Sequence, residues 1–153
     1  MTTRYWEYFT VGQIEEFGSR EVSEEEVIEF ATEFDPQSFH IDPVAAKDHF
    51  FGGIIASGWH TGSMLMRMIV DEQISNSTSM GSPGMDELRW ISPVRPGETL
   101  KVKSEVLSSK LHPRKPDRGF VKFKYTVLNQ NDQTKMTMTS SIIFGCAPTP
   151  EQN

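Results

Sequence analysis

Apolar and polar positions divide the chain into a helical first half and a stranded second half. A short extended stretch is predicted from about Ile14 to Val22. Ser23 with Glu26 three residues on then has the form of a capping box, in which hydroxyl and carboxylate satisfy free N–H groups at a helix start. That helix carries Val27, Ile28, Phe30, Ala31 and Phe34 on one face. Pro36 stops it, because the residue before a proline is pushed out of helical geometry, and Asp35 is left extended at the exit. Asp42 followed by Pro43 predicts a second, short helix, with Asp42 as N-cap and the proline at the first helical position. A third helix is predicted from roughly Gly58 to Ile74. Its apolar residues surround the axis, with Arg67 the only charge before Asp71, which is the pattern of a buried helix. Gly62 and Ser63 would let a sheet approach it closely.

After the polar run at 75–84 the period changes. DELRWI is short and extended, PVRPGE is turn chemistry, and TLKVKSEVL alternates. In FVKFKYTVL, Val121, Phe123, Tyr125 and Val127 share a face opposite Lys122, Lys124 and Thr126. NQND turns the chain and TKMTMTSSIIF returns it. Consecutive strands with short connections imply an antiparallel meander, and one buried helix beside a meander implies a sheet wrapped around the helix.

Composition narrows the function classes. The 153 residues suit one domain, with no internal repeat and no linker. With 21 acidic against 15 basic residues, no net positive field draws the protein to nucleic acid or an anionic membrane. The start resembles no signal peptide, and the apolar run MLMRMIV is too short to span a bilayer, so a soluble cytoplasmic protein is expected. Cys146 is the single cysteine, which excludes an intrachain disulfide and thiolate metal clusters.

The segment EFDPQSFHID, residues 33 to 42, sets Asp35 and His40 five positions apart. Alone, such a pair reads far more readily as a helix-end carboxylate beside a loop histidine than as an acid and base; neither residue belongs to the predicted core. His60, one turn into the buried helix, reads as a satisfied core histidine or a pocket wall, and His49 and His112 as surface residues. Phe50, Phe51, Trp59 and the methionines suit an acyl pocket or simple core packing. Lys110, Arg114, Lys115 and Arg118 cluster in a solvated hairpin loop. No histidine or carboxylate spacing suggests a metal site, and no Gly-rich nucleotide fingerprint is present.

The constellation resembles the MaoC-like dehydratases, the R-specific enoyl-CoA hydratases with the hot-dog fold. The family signature, roughly Asp-x-Asn-Pro-(aliphatic)-His, stands here as Asp35, Pro36, Gln37, Ser38, Phe39, His40, and GMDELRWISPVRPGETL (84 to 100) is similar to the family's strand-turn-strand stretch. Gln37 replaces the usual asparagine, Ser38 the usual proline, and Ser57 stands where a histidine usually precedes the helix-opening glycine. The resemblance runs from about Tyr8 to Phe144. It implies an α+β hot-dog domain (core about 8–146), with an antiparallel sheet around a long central helix. It further implies interconversion of trans-2-enoyl-CoA and (R)-3-hydroxyacyl-CoA by addition of water. Asp35 would be the base and His40 its positioning and proton-delivering partner. Gly58 at the helix N-terminus would supply an oxyanion hole, with Ser57 and Gln37 as substrate-binding neighbours. No metal or redox cofactor is implied, coenzyme A entering only as part of the substrate, and two hot-dog units would pair as a homodimer or an assembly of dimers. An acyl-CoA thioesterase and a non-catalytic acyl-thioester binding subunit remain open on the same fold.

Overall fold

A computed structural model of the chain describes residues 2–149. Strand β1 (Ile14–Glu21) leads into helix α1 (Glu24–Phe34), the one-turn helices α2 (Ser38–Ile41) and α3 (Pro43–Lys47), and the central helix α4 (Gly58–Ile69). Helix α4 runs on into a π-helical turn, Val70–Ile74, and strands β2 (Gly84–Trp90), β3 (Thr99–Leu111), β4 (Arg118–Leu128) and β5 (Thr134–Gly145) follow. The five strands form one antiparallel sheet in the order β1-β3-β4-β5-β2. This is an α+β, hot-dog arrangement, in which α4 packs against the buried face of the sheet.

The local signals act as the sequence predicts at most boundaries. Ser23 Oγ accepts from the N–H of Glu26 at 3.2 Å, and Asp42 accepts from Val44 and Ala45 at the start of α3. Glu26, however, does not reach back to Ser23. Its carboxylate pairs with Arg20 and with His60 of α4, tying β1, α1 and α4 together. Val121, Phe123, Tyr125 and Val127 all lie in the core, against Met64, Leu65 and Met68 of α4. The π turn brings Gln73 inward, where its amide donates to Ser104 Oγ and its carbonyl accepts from the Tyr125 hydroxyl at 2.7 Å. A π turn thus supplies polar partners to an otherwise orphaned buried phenol.

Four expectations are corrected. Strand β2 does not neighbour β3, as a simple meander requires; it pairs with β5 at the far edge, because residues 91–98 carry the chain across the end of the sheet. Helix α4 is not buried all round: Trp59 and Met66 are exposed beside the β2 edge. Phe34 is 65% exposed, since it is the last residue of α1, with the Phe30 ring 5.2 Å away. Gly62 is not what admits the sheet, as a Cβ there would meet Met136 only at an ordinary 3.8 Å. The close approach is made by Gly18 of β1, at φ +90°, where a Cβ would lie 3.1 Å from Met68 Cγ.

Candidate active site

Asp35 and His40 reach the same place from consecutive short helices. Pro36 breaks α1 at Asp35, whose φ of −153° and ψ of 68° turn the carboxylate away from the helix axis. Residues 38–41 then coil through a single turn, so that His40 lies in α2 rather than in a loop. Its Nε2 stands 3.3 Å from Asp35 Oδ2. Its Nδ1 lies 2.7 Å from the carbonyl oxygen of Ile55. A carbonyl can only accept, so Nδ1 carries a proton and Nε2 is the position free to exchange one. Contrary to the expectation that neither residue joins the core, His40 is only 4% exposed, packed edge-on against Phe39.

Both oxygens of Asp35 are occupied by donors. Ser57 Oγ donates to Oδ2 at 2.7 Å and Gln37 Nε2 to Oδ1 at 2.8 Å. Burial pushes the carboxyl's pKa up, but the bonds from Ser57 and Gln37 and the charge of His40 outweigh it and hold Asp35 below the ordinary carboxylate value. Asp35 is therefore an oriented carboxylate at neutral pH. Ser57 and Gln37, expected as neighbours of the substrate, have their polar side chains turned onto Asp35. The sequence offered no signal for that contact, because Ser57 lies 22 residues away and meets Asp35 only through the packing of α1 on the start of α4.

Gly58 opens α4, and no side chain caps that helix. Among the described residues the N–H groups of Gly58 and Trp59 have no protein acceptor, so the positive end of the helix is available to an anion. Beside it stands a residue that sequence reasoning missed. The indole of Trp90, from β2, donates through Nε1 to the Gly58 carbonyl at 2.9 Å, and a Cβ on Gly58 would fall 2.7 Å from Trp90 Cδ2. Glycine at 58 is required for this contact. Trp59 meets Trp90 edge to face at 5.3 Å.

These groups open onto one cavity of about 410 Å³, walled by Phe51, Ile55, Ala56, Thr61 and the 90–94 segment as well as by the two tryptophans. Trp59 also borders a second cavity, of about 380 Å³, lined by Met66, Met85, Leu88, Met136 and Met138. Phe51 and Trp59 thus do line pockets, whereas Phe50 is 90% exposed and lines neither.

The other histidines lie elsewhere. His60 is buried, stacked on Phe30 at 4.7 Å, with Nε2 3.4 Å from Glu26 and no partner for Nδ1. It is a wall of a separate cavity between α1 and α4. His49 and His112 are half-buried rather than free: His49 stacks on Phe39 and Phe51, and His112 Nδ1 accepts from the N–H groups of Arg114 and Lys115, shaping the basic loop. Among the described residues, no cluster of three or more His, Cys, Asp or Glu side chains is disposed to hold a metal ion. No helix among them is long and apolar enough to cross a membrane.

A sheet wrapped on a glycine-opened helix, with a carboxylate and an imidazole at the helix entrance, defines a hot-dog protein of the hydratase and dehydratase class. The family model described as "MaoC like domain" matches residues 10–128, and the chain belongs to that family. It is 32% identical over 124 residues to the uncharacterized protein YdeM of Bacillus subtilis (strain 168), covering 81% of this chain and 86% of YdeM. Among solved structures, the MaoC-like dehydratase from Rhodospirillum rubrum superposes with a TM-score of 0.86 at 34% identity, over 95% of this chain and 99% of that one. The R-hydratase PhaJ1 from Pseudomonas aeruginosa, at 23% identity, shares the fold with a TM-score of 0.73, over 99% of this chain and 96% of its own.

Proposed function

We propose that this protein is an enoyl-CoA hydratase that interconverts a trans-2-enoyl thioester and the (R)-3-hydroxyacyl thioester. The observation that carries the proposal is the Asp35–His40 pair, 3.3 Å apart at the entrance of α4, with the carboxylate fixed by two donors and the imidazole by a carbonyl. An alkene conjugated to a thioester is electrophilic at its β-carbon. Adding water needs a base for water's proton, a donor to the α-carbon, and a partner for the negative charge that builds on the thioester oxygen. In this proposal Asp35 takes the proton as the water oxygen bonds to the β-carbon. His40, with both ring nitrogens protonated, delivers the Nε2 proton to the α-carbon, and passage of the proton held by Asp35 to Nε2 across their short separation resets the pair. The N–H groups of Gly58 and Trp59 face the thioester oxygen; such a donor is worth about 3–4 kcal/mol in the transition state. The methionine-lined cavity beyond Trp59 takes the acyl tail. The chemistry calls for no metal and no redox cofactor; coenzyme A enters as the carrier of a substrate met in the cytoplasm.

The β2 edge supports a second copy of this chain as the partner. Its outer side is unpaired, and Met85, Trp90 and Ile91 are exposed there beside Trp59 and Met66.

One assay tests the function. The purified protein is mixed with crotonyl-CoA while the enoyl-thioester absorbance and free thiol are followed together. Loss of absorbance without thiol is the expected result. Thiol release without hydration would make the protein a thioesterase, and binding with neither signal would make it a non-catalytic subunit.

A further inference from the structure

The site cavity is lined by one side chain that the proposed chemistry leaves unused. Lys135 is 7% exposed, an unusual place for an ammonium group. It reaches the interior through a break in strand register. On β4, Val127 pairs with Met136 and Leu128 with Thr134, so Lys135 is the extra residue of a β-bulge. Bulges re-aim side chains, and this one turns a lysine of the alternating TKMTMT run inward. Its Nζ donates to the Pro93 carbonyl at 3.1 Å and pairs with Glu98 Oε2 at 3.0 Å. The backbone carbonyl of Lys135 accepts from the N–H of Ile91 at 2.9 Å. Glu98 in turn accepts from the N–H of Arg95 and from Asn129 Nδ2. The 91–98 segment, whose residues 91–94 line the cavity, is therefore held at Pro93 and Glu98 by the Lys135 ammonium and at Ile91 by the Lys135 backbone carbonyl.

That wall is joined to His40. Next to Pro93, the Val94 carbonyl accepts from the N–H of Ala56 at 2.8 Å. Next to Ala56, the Ile55 carbonyl holds Nδ1 of His40 at 2.7 Å. We infer that Lys135 is a positioning residue for this site: by anchoring Pro93 it fixes the 93–94 wall against residues 55–56, and so holds the carbonyl that selects His40's tautomer and aims Nε2 at Asp35. The inference rests on the hydratase proposal for its kinetic consequence, but not for its structural one.

The test compares wild type, Lys135→Met and the double variant Glu98→Gln/Lys135→Met by two readouts. The single variant leaves Glu98 buried without its cation, which destabilises the fold for reasons unrelated to catalysis. The double variant removes both charges and carries the comparison even if the single one does not fold. Turnover of crotonyl-CoA in the double variant is expected to fall about 10²-fold, the effect of misplacing a catalytic group by about 1 Å, with KM nearly unchanged. Nitrogen-15 spectra of the histidines, with His40 assigned by its loss in a His40→Gln variant, are expected to show the His40 Nδ1 signal moving as its bond to the Ile55 carbonyl is lost. Unchanged His40 nitrogen shifts in the double variant overturn the inference whatever the rate does. A raised KM with full kcat also overturns it, since Lys135 would then be touching substrate. Absence of hydration by the wild type would remove the hydratase proposal while leaving the spectral comparison decisive.

Discussion

Replacing Asp35 by asparagine separates a catalytic pair from a structural one, and the structure sets both magnitudes. Asparagine keeps the shape of the side chain and one acceptor oxygen, so only one of the two bonds from Ser57 and Gln37 is lost. A hydrogen bond to a charged group is worth about 1.5–3 kcal/mol, and the partial exposure of Asp35 places this one toward the low end. For a domain of this size that is a Tm decrease of about 3–6 °C, leaving the protein folded at assay temperature. Loss of the base is expected to lower kcat about 10²–10⁴-fold, or about 3–5 kcal/mol in the barrier, which exceeds the stability loss. His40→Gln is expected to fall in the same range. It costs more stability than Asp35→Asn, because His40 is buried and its removal leaves the Ile55 carbonyl unpaired. If the two act as one unit, the double variant is little slower than the slower single. Initial rates of crotonyl-CoA hydration and thermal melts on the three variants decide the matter. Near wild-type kcat in Asp35→Asn, or fully additive losses in the double variant, would refute the assignment.

Gly58→Ala inserts a Cβ where the half-exposed Trp90 indole lies, so the indole moves outward and loses its bond to the Gly58 carbonyl. Tryptophan emission should shift to the red and kcat fall while Tm changes by only a few degrees; unchanged emission and rate would show that Trp90 does not wall the site. Light scattering at micromolar concentration should report a dimer or an assembly of dimers, and Met85→Glu on the β2 edge should reduce the mass; a monomeric wild type would remove the pairing proposal. Stability should fall on acidification in two windows. Burial depresses the pKa of His60 below its ordinary 6.5, against the opposing pull of Glu26, so the unfolded chain binds the proton first and stability declines as pH falls from about 6.5 toward the folded value. Asp35, Glu26 and Glu98 are also depressed; what they contribute is present above the ordinary carboxylate pKa of about 4 and is lost as pH falls through their lower folded values. A His60→Asn variant should flatten the upper window of a Tm-against-pH profile and leave the lower one.

The elements that proved legible in the sequence are those fixed by neighbours a few residues away. Ser23 and Asp42 mark helix starts because their side chains bond N–H groups two or three positions on. The β4 alternation marks a strand because one face is wholly core. The placement of β2 beside β5 was not legible, since nothing local distinguishes a strand that turns back from one that crosses the sheet end. The exposed face of α4 was hidden for a related reason. Trp59 and Met66 are apolar, and apolarity marks a surface that is to be covered without saying whether the cover is this chain's own sheet or another molecule.

The candidate site divides along the same line. Asp35 and His40 were legible as a pair because Pro36 and a single helical turn set their separation over six residues. What makes them a site is supplied from afar: the Ser57 hydroxyl, the Ile55 carbonyl, the Trp90 indole and the Lys135 ammonium come from residues up to a hundred positions downstream. Of these, Lys135 was the hardest to foresee. In an alternating strand it belongs with Thr137 and Thr139 on the side away from the core, and one unpaired residue in the ladder reverses its direction. A bulge of this kind leaves no mark in composition or period, because it depends on how β4 and β5 share their hydrogen bonds. A buried cation lining the same cavity as Asp35 and His40 therefore becomes visible only when the register is known, and its effect on His40 only when the wall it holds is traced back to Ile55.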